Sequence, residues 1–333
     1  MKPVLTIGIT SYKRVNELIR CITSIETKYI EDIEILVSED KSPLSLEIKE
    51  KVEKLAQESL YCIRFTTNDV NLGYDMNLGA IIQKSRGKYV FFMSDDDAVE
   101  GGCLDEIIEY LIKDPPCGVI YAPFKYARTG KLDRVRGNNH NIHAGETSAT
   151  KYMYDSILFS GLIFRKDYVL RYDSSRFKNH NYFQVYLFLQ MMLHYGGFYF
   201  EKPSVLCIGD GENAYGISDS SGGNAILANR KSVKSNLEFN KTLIKVVKMF
   251  DEDEGTHVID SFAKQYSLHS YSGLSKARDE GIKYFKEYWE ILKGLDIKRY
   301  PITNVYYGLL LVLGRKKADA LLSVPRRLVK KEK

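Results

Sequence analysis

Paired cysteines are missing from this sequence. Cys21, Cys62, Cys103, Cys117 and Cys207 are scattered over 333 residues without the spacings of a zinc site or a disulfide framework, which excludes a stapled scaffold. Cys21 and Cys62 sit within apolar patterns and read as small core residues. No run of about 20 apolar residues is present to span a bilayer; the strongest apolar stretch covers only residues 305–313. No apolar leader follows Met1-Lys2-Pro3, so the expectation is a protein of a reducing, cytoplasmic compartment. No internal repeat is visible.

A sustained charge excess is also lacking. The formal net charge is +5, but the tail from residue 315 to 333 holds Arg315, Lys316, Lys317, Arg326, Arg327, Lys330, Lys331 and Lys333 against only Asp319 and Glu332. That tail contributes +6 and leaves −1 for residues 1–314, a near-neutral body that argues against a nucleic-acid partner. The apolar stretch joined to this cationic end predicts a peripheral contact with anionic membrane through residues 301–333. The alternative is a C-terminal helix packed on the body with a frayed, charged end.

Up to about residue 125 the chain alternates between two periods. Residues 4–10, 33–37, 61–66, 89–93 and 119–121 are short apolar or β-branched runs that read as strands. Between them lie helical faces: Val15, Leu18, Ile19, Ile22 and Ile25; Leu44, Ile48, Val52 and Leu55; residues 74–85; and Leu104, Ile107, Ile108, Leu111 and Ile112, closed by Pro115-Pro116. This alternation predicts an α/β fold with a mostly parallel, helix-covered, Rossmann-like sheet. Residues 128–150 are polar and read as a long loop or irregular hairpin, and residues 182–193 as a helix. Residues 209–224, rich in glycine, read as a lid. From about 226 onward the pattern is helical. The expected division is therefore a catalytic domain over 1–224 and a helical extension over 225–333.

The most informative feature is Asp95-Asp96-Asp97, directly after the apolar run Tyr89-Val90-Phe91-Phe92-Met93. Residues just past the carboxyl end of such a strand project into the crevice where open α/β sheets hold ligands. Three adjacent acids repel one another unless a cation or hydrogen-bond donors compensate. Hard oxygen ligands favour Mg²⁺ or Mn²⁺ bridging carboxylates to phosphates. The competing reading is a solvated acidic turn capping the next helix.

Four segments follow one another at strand ends: Ile7-Gly8-Ile9-Thr10-Ser11-Tyr12-Lys13-Arg14, Val37-Ser38-Glu39-Asp40-Lys41-Ser42, Asn71-Leu72-Gly73-Tyr74-Asp75-Met76-Asn77-Leu78-Gly79 and Gly87-Lys88-Tyr89-Val90-Phe91-Phe92-Met93-Ser94-Asp95-Asp96-Asp97. In this order they resemble glycosyltransferase family 2, over roughly residues 3–207. Among its members the chain looks like the abequosyltransferase-type enzymes of surface-polysaccharide synthesis, which also carry a serine ahead of three aspartates. The resemblance implies a GT-A fold, Mn²⁺ or Mg²⁺, and transfer of a sugar from a nucleoside diphosphate, UDP or CDP, to a hydroxyl of a lipid-linked or surface-polysaccharide acceptor, at the inner face of the cell membrane.

It also implies roles. Thr10, Ser11 and Tyr12 offer hydroxyls, backbone N–H groups and an aromatic face to a base and ribose, and Asp40 matches a carboxylate that accepts from a pyrimidine. Asn71, Gly73 and Asn77 supply turn geometry and polar contacts beside the nucleotide. Asp96 matches the ribose or diphosphate contact and Asp97 the metal ligand, with Asp95 assisting either; Arg14 adds charge near the phosphates. Arg86 and Lys88 are further cations of that kind or plain surface charges.

An acid is lacking where inverting members usually keep one. The region reads Asn179-His180-Asn181-Tyr182-Phe183-Gln184-Val185-Tyr186, and Gln184, at the expected place, cannot act as a base. Asp155, Asp173, His180 or Asp210 would have to approach from elsewhere, or transfer retains configuration and depends on the leaving phosphate, the alternative favoured here. A different class of function follows from the same lack: a nucleotide-sugar-binding or scaffold protein with a degenerate site. A nucleotidyltransferase is disfavoured because Ser11-Tyr12-Lys13-Arg14 contains no glycine.

Overall fold

The computed structural model describes residues 2–210, 233–294 and 299–329, with backbone alone for 233–238 and 323–329. The chain divides into two compact units, Met1–Ala225 and Ile226–Lys333. Of the glycine-rich stretch expected as a lid, residues 211–224 lie outside the described residues.

The first unit opens with β1 (Leu5–Ser11), α1 (Val15–Thr23), β2 (Ile33–Glu39), α2 (Ser45–Glu58), β3 (Cys62–Thr67), α3 (Tyr74–Lys84) and β4 (Tyr89–Ser94). It continues through β5 (Ala98–Val99), α4 (Cys103–Ile112), β6 (Val119–Tyr121), β7 (Phe124–Tyr126), β8 (Leu132–Asp133), β9 (His140–Ile142), α5 (Glu146–Tyr152), β10 (Ile163–Arg165), α6 (Lys166–Val169), α7 (Phe183–His194), β11 (Gly197–Tyr199) and β12 (Val205–Cys207). The main sheet has the order β3-β2-β1-β4-β10-β6-β11-β9, and a smaller one runs β5-β12-β7-β8. The first four strands are parallel. All seven residues of β2 and five of six in β4 are buried, the signature of a sheet covered on both faces. One cover is immediate: a Cβ at Gly8 would lie 2.3 Å from Ile81 Cγ2, so β1 touches α3 with no room for a side chain.

Register positions the site. Thr10 pairs with Ser38 on one side and Ser94 on the other, so three parallel strands end level. The turns after them, carrying Tyr12, Asp40 and the aspartate triplet, therefore open at one edge of the sheet. Two of these turns hold a non-glycine residue in the left-handed region, Lys13 at φ 64 and Lys41 at φ 54, an uncommon state that tends to occur where function constrains the backbone.

Past β4 the sheet departs from simple alternation. β10 runs antiparallel between β4 and β6. Residues 128–150, expected as a long loop or irregular hairpin, contain β8, β9 and the start of α5. These strands have two or three residues each: β8 closes a local hairpin with β7, Phe124↔Asp133, whereas β9 is paired far along the chain, His140↔Tyr199.

The second unit holds α8 (Val233–Glu254), α9 (Val258–Glu280), α10 (Ile282–Gly294) and α11 (Pro301–Val329). Tyr307 stacks on Phe285 and Trp289 with ring centroids 4.8 and 4.1 Å apart, which fixes α11 on α10. α11 is two helical segments meeting at Gly314, φ 67. Before the kink Val305 and Val312, one heptad apart and so on one face, are exposed; after it Lys316 and Lys317 are exposed too. No helix among the described residues is long and apolar enough to cross a membrane.

Candidate active site

The strand β4 delivers three carboxylates into the protein rather than into solvent: Asp95, Asp96 and Asp97 are 3, 6 and 2 % exposed. Asp95 accepts the Tyr12 N–H (3.2 Å) and the Arg14 guanidinium (2.7 Å). Arg14 lies 3.3 Å from Asp96 as well, and Asp96 takes the Ser94 hydroxyl. Asp97 accepts the Ser160 hydroxyl at 2.7 Å on one oxygen and the Ile208 N–H at 3.1 Å on the other. The solvated-turn reading of the triplet is thereby excluded.

Burial pushes the Asp95 carboxyl up to about 7, with Arg14 pulling the other way. Asp97 is raised by burial and then by the charge of Asp96. Two neighbouring thiols sense the same field: burial raises Cys21 and Cys207, and the carboxylates raise them further. Negative charge here thus exceeds what Arg14 neutralises. Among the described residues no three acidic, imidazole or thiol groups converge as a ready-made metal cage. The donor set suits a hard cation held by one or two carboxylates, with phosphate oxygens and water completing its shell. Asp97 and Asp95 are the residues that would hold Mn²⁺ or Mg²⁺.

At the ends of β1 and β2 the expected nucleotide residues are assembled, with differing freedom. The Ser11 hydroxyl is buried and has no hydrogen-bond partner among the described residues, an orphan polar group of the kind a ligand satisfies. Tyr12 and Arg14 face the triplet. The Asp40 carboxylate is mostly engaged: Oδ1 accepts Asn68 Nδ2 (2.9 Å) and the Leu72 N–H (2.8 Å), and Oδ2 the Gly73 N–H (2.8 Å). That leaves about one lone-pair site on Oδ2 for a ligand. Asn71 accepts from the same Gly73 N–H at 3.0 Å, and Gly73, at φ 81, starts α3 in a conformation that favours glycine. Asn77 is engaged within the protein. Its amide donates to the Ser38 carbonyl and accepts from the Ser38 hydroxyl and Asn68, so it braces the loop from within.

The candidates for acceptor activation differ in how far other groups of the chain engage them. Asp155 is buried and bonded by Arg136 Nε (2.8 Å) and Nη2 (2.7 Å) and by the Tyr121 hydroxyl (3.0 Å), the surroundings of a structural ion pair. Gln184 Oε1 accepts from the Tyr74 hydroxyl at 3.0 Å, and its Nε2 donates to the Ile157 carbonyl at 3.1 Å. Asp173 caps the turn at Ser175, and Asp210 forms a two-pronged pair with Arg20 at 2.6 and 2.8 Å. His180 Nδ1 lies 3.0 Å from the Lys178 carbonyl.

Three residues with roles at this edge were not anticipated. Ser160 holds Asp97. Arg20, on α1, bonds both Asp210 and the Asp96 carbonyl. Asp75, in the first turn of α3, holds the entry to α7. Ser160 did leave a signal, being a lone hydroxyl in the apolar run 157–164.

Carboxylates at the end of a central parallel strand, beside the turns of β1 and β2, define a nucleotide-binding α/β enzyme class. The chain matches the family described as Glycosyl transferase family 2 over residues 6–173, and it belongs to that family. It is 27% identical over 107 residues to the GalNAc(5)-diNAcBac-PP-undecaprenol beta-1,3-glucosyltransferase of Campylobacter jejuni, a match covering 32% of this chain and 34% of that enzyme. Among solved structures it is similar to S. aureus TarS 1-349 in complex with UDP-GlcNAc (TM-score 0.55, 12% identity, 92% of this chain and 91% of that one). It is also similar to the mannosyltransferase PcManGT from Pyrobaculum calidifontis in complex with GDP-Man and Mn2+ (TM-score 0.52, 13% identity, 98% and 81%). At such identities the likeness establishes the fold, which is GT-A.

Proposed function

We propose that this chain is a metal-dependent glycosyltransferase that moves a hexosyl or deoxyhexosyl group from a nucleoside diphosphate to a hydroxyl of a lipid-linked or surface-polysaccharide acceptor. The buried triplet at the end of β4 carries this reading, because its uncompensated charge calls for a cation and its neighbours call for a nucleotide. Asp97 and Asp95 hold Mn²⁺ or Mg²⁺, which when bound neutralises charge on the leaving diphosphate. Ser11, Tyr12 and Arg14 line the nucleotide, and Asp40 with Asn71 and Gly73 shapes the loop beside it. The serine ahead of the three aspartates supports a place near the abequosyltransferase-type members. A lipid-linked acceptor is in keeping with the undecaprenol-linked substrate in the Campylobacter enzyme's name, and with exposed Val305 and Val312 beside Lys316 and Lys317.

The test is a thermal-shift and product-release screen of UDP-, CDP- and GDP-sugars with and without Mn²⁺. A ligand specific to the native state raises Tm, and the expected result is a metal-dependent rise for one nucleotide class, with nucleoside diphosphate released. Asp97→Ala is expected to abolish release while the unliganded protein keeps its Tm. Undiminished release in excess chelator removes the metal from the proposal, and release of pyrophosphate replaces it with nucleotidyl transfer.

The commitments of Gln184 and Asp155 favour one rival: a nucleotide-sugar-binding protein without turnover. Metal-dependent nucleotide binding with no release on any acceptor pool selects it.

A further inference from the structure

The carboxylate that matters most to the proposed chemistry is aimed by residues from a distant part of the chain. Ser160 is fully buried; its hydroxyl donates to Asp97 Oδ2 at 2.7 Å and accepts the Ser94 N–H at 3.1 Å. One group thus spans the end of β4 and the side chain projecting from it. The segment bearing Ser160 is tied to β4 on both sides, by Gly161 N–H to the Phe92 carbonyl (3.0 Å) and Phe92 N–H to the Leu162 carbonyl (2.9 Å). Behind it stands Arg134, 6 % exposed. Its guanidinium donates to the Leu158 carbonyl and, at 3.3 Å, to the Ser160 carbonyl, and lies 5.0 Å from the centre of the Phe124 ring.

Arg134 makes no carboxylate ion pair among the described residues. Burial lowers its pKa to about 10, which leaves it a cation at neutral pH. A buried guanidinium whose fork is spent on two loop carbonyls fixes backbone, and the backbone it fixes carries the hydroxyl on Asp97. The second Asp97 oxygen is set by the Ile208 N–H. The Cys207 thiol bonds the same carboxylate; three internal donors against about four lone-pair sites still leave room for a ligand, so the carboxylate is oriented without being filled.

We infer that Ser160 and Arg134 are positioning residues for Asp97, setting its affinity for the divalent cation; the inference rests on the reading of Asp97 as a metal ligand. Partners of this type, bonded to a ligating carboxylate, tune metal affinity by about 10- to 100-fold. A merely structural serine leaves that affinity unchanged.

Mn²⁺ is titrated, alone and with UDP or GDP, into the parent, Asp97→Ala, Ser160→Ala, Ser160→Thr and Arg134→Lys, with free Mn²⁺ read by electron paramagnetic resonance and Tm recorded for each. Expected are loss of binding in Asp97→Ala, weakening of about 10-fold or more in Ser160→Ala, and recovery in Ser160→Thr, which restores the hydroxyl. Arg134→Lys keeps the charge but cannot fork two carbonyls, and weakens binding. If Asp97→Ala loses Mn²⁺ while Ser160→Ala binds it like the parent, the positioning role is overturned and the metal reading stands. If Asp97→Ala also binds like the parent, or the parent takes up no Mn²⁺, the metal reading falls and the inference with it.

Discussion

Asp75 Oδ2 accepts the backbone N–H of Asn181 at 2.8 Å, joining the first turn of α3 to the approach of α7 across 106 positions of sequence. The same carboxylate accepts from His180 and Phe183, each at 3.0 Å. Asn179 and Asn181 both sit in the left-handed region, φ 66 and 62, which asparagine tolerates better than most residues. Asp75 thus fixes an uncommon backbone just before Gln184. Asp75→Ala leaves the N–H groups of residues 180 to 183 without this acceptor and is expected to destabilise the first unit by about 3 kcal/mol. The check is the denaturation midpoint together with proteolysis at residues 179–183, which should become accessible.

The titration of Asp75 gives a second expectation. Burial pushes its carboxyl up to about 7, against the pull of the N–H donors around it, whereas an unfolded aspartate titrates near about 3.9. The folded state therefore binds more protons than the unfolded one between these values. The stabilisation is fully present below the lower value and is lost as pH rises through the upper. Asp75→Asn cannot titrate and lacks this slope. Measured from pH 5 to pH 8, the Tm of Asp75→Asn should rise relative to that of the parent. Parallel curves would show that Asp75 stays ionised throughout.

Why the sequence anticipates some of this and not the rest follows from the range of each interaction. The run Tyr89 to Met93 and the face Leu104, Ile107, Ile108 and Leu111 announce β4 and α4 because burial imposes a local period on their own residues. Placing the triplet at a strand end needs nothing more. β10 has three residues and is antiparallel in a parallel setting, so only its partners β4 and β6 define it. Asp40 is legible as an acid past a strand, but the donors from Asn68, Leu72 and Gly73 that occupy it come from a loop about 30 residues later. Asp155 reads in the sequence as a candidate base, while Arg136 and Tyr121, which bond its carboxylate, are announced by nothing near it. Composition reveals an ionisable group, while its partners decide whether it is available.

That distinction is testable at Asp155. If it were the general base, Asp155→Asn would lower turnover by about 10²- to 10⁴-fold. As a strut it should leave turnover close to the parent while lowering Tm, because the Arg136 pair becomes a neutral hydrogen bond. Arg136→Ala is expected to cost more, about 2–3 kcal/mol, by leaving a buried carboxylate without its cation; the partial exposure of Arg136 keeps the loss below that of a wholly buried pair. Arg136→Met with Asp155→Leu removes both charges and should recover part of the loss. Turnover that collapses in Asp155→Asn with Tm unchanged would return Asp155 to the chemistry.

Val312 is 80 % exposed and Val305 57 %, so replacing either disturbs no packing, and their spacing of one heptad puts them on one helical face. If this face enters an anionic lipid surface, Val305→Glu with Val312→Glu should weaken binding to vesicles containing phosphatidylglycerol, through lost apolar insertion and added repulsion. Lys316→Gln with Lys317→Gln should weaken it by about 1 kcal/mol per charge and reduce its salt dependence. Neither change should shift Tm or nucleoside diphosphate release from the donor with a soluble acceptor. Sedimentation with vesicles of 0 and 30 % phosphatidylglycerol separates the contributions, since the valine variants lose binding to both compositions and the lysine variants only to the anionic one. Sedimentation of both variants equal to that of the parent would leave the exposed valines of α11 without a lipid partner.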